Sequence, residues 1–346
     1  MGHAVKADTT MTESVIFSLC RRLVIIAGAS FLLLEILIGA SSMRSDSNKE
    51  MQATRLAQEQ IDRFRAGQAF SGDVQAYLVA GQPDPGALNV FAEALDQEPE
   101  AVRVEVANLL ISLGRQVDPL KASGGHLIRN PRIIHLLAQK GLSRVGQARD
   151  ECLGVLVRSA PGALLRDDGP ALTETLERFP DNSSLLLVAK AKPEAALPVV
   201  KELARSPRWA KSENVPIALA ALGEKTVEEK FVRDFLTTHD PSQKAKLAKS
   251  LGYIGTETAL RALASQMRTD LVVEMPRVSR RSVRLDILAA LSYNFPDKPF
   301  LWDNAILDDS GYARVEQFCE ETFGTKWQTP RPPFLTIQGF PSEPPR

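Results

Sequence analysis

The sequence predicts an all-α chain in which a single N-terminal transmembrane helix is followed by an α-solenoid of stacked helix pairs. Three observations carry this expectation. Residues Leu23 to Ala40 read LVIIAGASFLLLEILIGA, an apolar run with no counterpart elsewhere in the 346 residues. Beyond it, capping side chains placed just before prolines recur between apolar segments of helical length. Several of those segments also repeat one another's residue pattern.

The apolar run comes first. Eighteen residues rise roughly 27 Å, and extending the segment through Ser41 to Met43 matches a hydrocarbon core of about 30 Å. Residues 1–22 then form a cytoplasmic n-region and 23–43 a signal anchor. Ile38-Gly39-Ala40 would also suit cleavage before Ser41, but the run exceeds the ~7–15 residues of a signal h-region. Arg21 and Arg22 abut the entry side, whereas Arg44, Lys49 and Arg55 are spread out beyond the exit. Because Lys and Arg resist translocation, the expected topology is N-terminus in. The bulk of the chain is then extracytoplasmic, which in a bacterium means the periplasm, with the anchor in the inner (plasma) membrane. Glu35 lies deep in the run, where a carboxyl is costly unless it faces a partner, so it is a candidate contact to another membrane helix.

Next, residues 44–70, rich in Gln, Glu, Arg and Ala, read as a helical stalk, and 71–328 as the repeat domain. Asp84-Pro85, Asp118-Pro119, Asn130-Pro131 and Asp240-Pro241 each place a capping acceptor before a proline whose missing N–H is not needed in a first helical turn. Thr226-Val-Glu-Glu229 has the spacing of a capping box, and Gly114, Gly223 and Gly252 are placed to close helices. No stretch alternates long enough for a strand; Leu271-Val272-Val273 comes nearest and is too short.

Composition agrees with helices. Aromatic residues are only 6% of the chain, and Lys plus Arg equals Asp plus Glu at 42 each, so nothing suggests a nucleic-acid partner. Three cysteines exclude a dense disulfide framework. Cys152 and Cys319, on apolar helical stretches, are expected to be buried thiols, with a single bridge between them as the alternative in an oxidising compartment.

The repetition is direct. Val102-Arg-Val-Glu-Val-Ala-Asn-Leu-Leu110 and Val283-Arg-Leu-Asp-Ile-Leu-Ala-Ala-Leu291 share V-R-apolar-acid-apolar, and Ala148-Arg149-Asp-Glu-Cys-Leu-Gly-Val-Leu156 is a weaker copy. Ile217–Gly223 and Leu247–Gly255 share a Leu-Gly ending, and the spacing from Leu222 to Leu251 to Leu291 is 29 and then 40 residues. Irregular spacing of that size describes helix pairs with variable loops, none able to bury its apolar face alone. Over Ala245 to Asp270, AKLAKSLGYIGTETALRALASQMRTD, the chain resembles the HEAT repeat family. The matching residues are Leu251, Gly252, Ile254, Gly255, Ala259 and Leu263. Ser282 to Phe323 looks like another unit, and between Pro180 and Pro207 a tetratricopeptide-like pair fits equally well. The resemblance implies a stacked solenoid that binds proteins.

Catalytic signatures are absent: there is no phosphate loop, dinucleotide fingerprint, H-E-x-x-H, G-x-S-x-G or C-x-x-C. No cofactor or metal is expected, and His126 and His135, nine residues apart, do not share a helix face. Two features are candidates for partner binding. One is the arginine cluster of Arg277, Arg280, Arg281 and Arg284. The other is the tail, 329–346, whose six prolines favour extended chain while Phe334, Leu335 and Phe340 supply apolar anchors that either a partner or the solenoid itself could hold. The expected function is a membrane-anchored scaffold, or an accessory subunit of a membrane complex, that binds other proteins outside the cytoplasm. The alternative is a lyase-type enzyme on a HEAT-like frame.

Overall fold

Three of the Asp/Asn-Pro pairs start helices as their sequence indicates. Asp84 Oδ1 accepts from the Gly86 amide at 2.8 Å, Asn130 from Arg132 and Ile133 at 3.0 and 3.2 Å, and Asp240 from Ser242 and Gln243 at 2.8 and 3.0 Å. These contacts belong to a computed structural model describing residues 50–69, 84–114, 128, 130–275, 279–295, 297–298, 301 and 309–332. Asp118-Pro119, the expected span Leu23–Met43 with Glu35, and Phe334, Leu335 and Phe340 lie outside these residues. Among the described residues no helix is long and apolar enough to cross a membrane.

The chain is mostly helical. Helix α1 covers 50–65, α2 Pro85–Gln97, α3 Glu100–Gly114 and α4 Pro131–Leu136, the last running into a π-helical turn, Leu137–Gly141. Helix α5 is Gln147–Ser159; a 3-10 segment, Gly162–Asp168, leads into α6, Gly169–Arg178. Then follow α7 Asn182–Ala191, α8 Ala196–Arg205, α9 Asn214–Ala221, α10 Lys225–Thr237, α11 Pro241–Ile254 and α12 Glu257–Ser265. A hairpin of β1 (Val272–Met275) and β2 (Ser279–Ser282) precedes α13, Val283–Ser292, and α14, Asp309–Phe323.

Alternate helices pack side by side. Helices α3, α5, α7, α9, α11 and α13 form one row, each touching the next. The others, α2, α4, α6 and α8, then α10 and α12, pack on their sequence neighbours in that row, and α14 packs on α12. One continuous core runs between the rows, from Phe91 and Leu110 through Leu156, Leu185 and Leu251 to Leu291.

Several local expectations are corrected. Residues 50–65 are helical but do not form a free stalk. Ala53, Ala57, Ile61 and Phe64 recur at helical spacing and are buried, and Arg65 reaches Glu98 beyond α2. Residues 50–65 therefore belong to the packed body, which was expected to start at 71. Within Leu271–Val273, Val272 and Val273 do form strand, in a hairpin with Val272 opposite Ser282 and Glu274 opposite Arg280. Thr226 lies inside α10, whose N-cap position is Glu224 with no side-chain cap, so the capping box does not form. Gly252 does not end α11; Gly255 does, at φ +53° with its N–H on Leu251 O at 2.8 Å. Gly252 instead lets α13 approach, since a Cβ there would sit 2.8 Å from Ala290 Cβ and 2.9 Å from its Cα. Gly223 does adopt positive φ, at +102°.

The repeated arginine has a shared role: Arg103, Arg149 and Arg284 are all buried near the starts of row helices. Arg103 Nε donates to Leu95 O at 2.9 Å, at the end of α2. Arg149 Nη2 donates to Asp181 Oδ2 at 2.7 Å, Ser184 Oγ at 3.0 Å and Phe179 O at 3.2 Å, tying α5 to the start of α7. Arg284 Nε donates to Ser282 Oγ at 3.3 Å, and its guanidinium lies 5.8 Å from the Tyr312 ring centre. A buried guanidinium needs several acceptors, and helix ends provide unpaired carbonyls.

Lysines act similarly. Lys190 Nζ donates to Val157 O at 2.9 Å and Leu156 O at 3.4 Å in the last turn of α5, beneath the Tyr293 ring at 4.9 Å. Lys192, in the left-handed region at φ 56°, donates to Gly255 O at 2.5 Å and so links α7 to the end of α11. Burial pushes the Lys190 amine down to about 7 and Lys192 to about 8 from an ordinary 10.5. Below pH 7 Lys190 is protonated in both states and the cost of burying its charge is fully present. As pH rises the folded amine becomes neutral while the unfolded one keeps its proton, so stability increases. Unfolding free energy should therefore climb between about pH 7 and 9, at up to about 1.4 kcal/mol per pH unit from Lys190 alone. It should level off above that, because Cys152 and Cys319, pushed by burial from 9.0 to about 12, ionise only in the unfolded chain. Urea titrations across this range test it: Lys190→Met should flatten the climb, and a wild-type profile that is flat or falling between pH 7 and 9 would refute it.

Candidate binding groove

Helix α10, KTVEEKFVRDFLT, has its apolar residues on one stripe, yet only Phe235 is fully buried. Val227 and Phe231 pack on the core edge and remain partly open to solvent, and Leu236 is 42% exposed. Val227 and Phe231, with α9 and α11, border a groove of about 980 Å³. Its apolar floor combines Val227 and Phe231 with Leu186, Pro216, Ile217, Leu247 and Tyr253. Burial pushes the Tyr253 hydroxyl up to about 12, with Tyr293 adding to the effect and Arg158 opposing it, so it stays a neutral hydrogen-bonding group. The rim is polar: Lys246 Nζ bridges to Glu213 Oε1 at 2.6 Å, and Lys230, Lys249, Asp234 and Gln243 complete it. An open apolar trough with a mixed-charge rim suits an extended or helical segment of another chain.

A second cleft, about 500 Å³, opens between α2, α4 with its π turn, and the 3-10 segment. Its feature is a dyad. His135, 54% exposed, lies with Nδ1 2.6 Å from Oδ1 of the buried Asp168, and Gln139 Nε2 donates to the same oxygen at 3.4 Å. Burial raises the Asp168 pKa, opposed by His135 and then Gln139. A buried carboxylate behind an exposed imidazole orients the ring, as in acid–base dyads. The residues bordering the cleft include Asn89, Arg132, Lys140 and Asp167, but no serine, threonine or cysteine. Among the described residues no three His, Cys, Asp or Glu side chains come together as a metal site.

The arginine cluster does not form one exposed patch. Arg284 is fully buried, because the repeated arginine position points into the packing between helices; its assignment to a binding surface is corrected. Arg281, 47% exposed, pairs with Asp286 at 2.6 Å, and burial raises the Asp286 pKa while Arg281 and Lys249 lower it. Arg280 sits on β2 opposite Glu274, and Arg277 lies outside the described residues. The first part of the tail packs back on the last helices: Arg268 lies 4.6 Å from the Trp327 ring centre, and Arg331 pairs with Glu316. Cys152 and Cys319 are buried free thiols, so the bridge between them is not formed.

Sequence reasoning missed both clefts. The groove had a weak signal in α10, whose apolar stripe is wider than its fully buried part. The dyad had none, since His135 and Asp168 are 33 residues apart with no motif joining them. Comparison with known protein families, with curated proteins and with solved structures found no match to this chain.

Proposed function

We propose that this chain is a HEAT-like α-solenoid scaffold, anchored by Leu23 to Met43 with its repeats outside the cytoplasm, and that it binds a partner protein in the groove between α9, α10 and α11. The observation that carries the reading is that groove, an apolar floor with a mixed-charge rim set between packed helices. The anchor reading also gains a consequence. Only residues 44–49 separate the expected span from α1, and six residues reach at most about 20 Å, so the body would lie close against the bilayer.

Affinity purification from membranes in mild detergent tests the binding role. Phe231→Asp should remove the partner that co-purifies with the wild type while abundance holds, and an unchanged set of partners would refute it. Topology is tested separately. Alkaline phosphatase fused at the C-terminus should be active, and activity from a cytoplasm-only reporter at that position would overturn the orientation. Glu35→Leu should leave insertion intact, and loss of a membrane partner would assign the carboxyl to helix–helix contact.

A second reading, a lyase-type enzyme, is favoured by the His135–Asp168 dyad alone. A small molecule that stabilises the wild type but not His135→Ala against heat would support it.

A further inference from the structure

The chain's own tail starts on helices next to those of the groove: it packs beside α12 and α14, and α12 touches α10 and α11. After α14 the backbone turns back along the last helices: Trp327 Nε1 donates to Glu320 Oε1 at 2.5 Å, and Arg268 Nη1 donates to Thr329 O at 2.5 Å. Arg331 then pairs with Glu316. These contacts hold residues 327–331 beside Arg268, just beyond α12. Two residues before Arg268, Gln266 Oε1 accepts from Lys244 Nζ at 2.7 Å. Lys244 follows Ser242 and Gln243, which border one end of the groove. One side-chain hydrogen bond and two short steps along the chain thus connect the tail's last described contacts to the groove's end.

Length and chemistry fit the same occupant. Residues 333–346 number fourteen, which extended reach about 45 Å, while α10 beside the groove is about 20 Å long. Their prolines favour an extended segment that loses little entropy on docking. Phe334, Leu335 and Phe340 match a floor that includes Phe231 and Tyr253, and Glu343 complements Lys230 and Lys249 at the rim. Tethering raises the effective concentration of such a segment to roughly millimolar, so even weak docking would fill the groove.

We propose that residues 333–346 occupy the α9–α11 groove of the same chain and compete there with the partner protein. The proposal rests on reading the groove as the partner site and specifies how that site is regulated. A partner would have to displace the tail, and weakening the tail would open the groove.

The test uses the full chain in mild detergent with the photocrosslinker p-benzoylphenylalanine in place of Phe334 or of Phe340. Illumination should join the tail to peptides within 226–253 of the same molecule, at a yield independent of protein concentration. Phe231→Asp and the rim change Lys230→Glu should each reduce that yield at least several-fold with the circular dichroism unchanged. Phe334→Asp combined with Phe340→Asp should raise partner recovery several-fold. Crosslinks confined to α12–α14, crosslinked dimers that grow with concentration, or no crosslink at all would each overturn the proposal. If the partner is still lost in Phe231→Asp, the groove remains the partner site and only the tail's role falls. If partner recovery is also unchanged, both readings fall.

Discussion

Leu251→Ala is expected to lower the free energy of unfolding by about 2–5 kcal/mol, the range for truncating a fully buried leucine. Leu251 is 0% exposed, and its helix, α11, packs on α9, α10, α12 and α13. Truncation removes apolar area and leaves a cavity that rigid neighbours on several sides cannot collapse into. Urea unfolding followed by circular dichroism measures it. A loss under about 0.5 kcal/mol, ordinary for a surface position, would show that the α11 register is wrong.

Gly252→Val should cost about 3 kcal/mol, at the upper end for overpacking, although it adds apolar volume. The reason is the close approach of α13: a Cβ on residue 252 would fall 2.9 Å from Ala290 Cα, a backbone atom that cannot rotate away. The two helices would have to separate, and the Asn294 Nδ2 bond to Gly252 O across them, at 3.0 Å, would stretch. Ala290→Gly should recover part of the loss in the Gly252→Val background, because it removes the Cβ lying 2.8 Å away. Gly252→Val folding with wild-type stability, or no recovery in the double substitution, would refute the close approach.

The contrast between Gly252 and Gly255 shows where sequence reasoning stops. Both glycines belong to the Leu-Gly-x-Ile-Gly pattern, and either can end a helix by its chemistry. The second ends α11; the first is required by a helix 38 residues further on, Ala290 being its neighbour. The repeated arginine divides the same way. Its recurrence at 103, 149 and 284 was legible, whereas its burial was not, since the groups it meets differ each time: Leu95 O of α2, Asp181 at the start of α7, and Ser282 Oγ with the Tyr312 ring. Arg284 was therefore misread as surface.

By itself the sequence determined the helical class, the starts of α2, α4 and α11, and the buried thiols. Caps act over two or three residues and apolar periodicity over one helix, so both are written locally. Tertiary structure alone decided that 50–65 joins the body, that 272–282 forms a hairpin, that His135 meets Asp168, and that α9, α10 and α11 leave an apolar groove between them. Each of these depends on which helix comes to lie beside which. That is set by the summed burial of many side chains distant in the chain, and no local pattern records it.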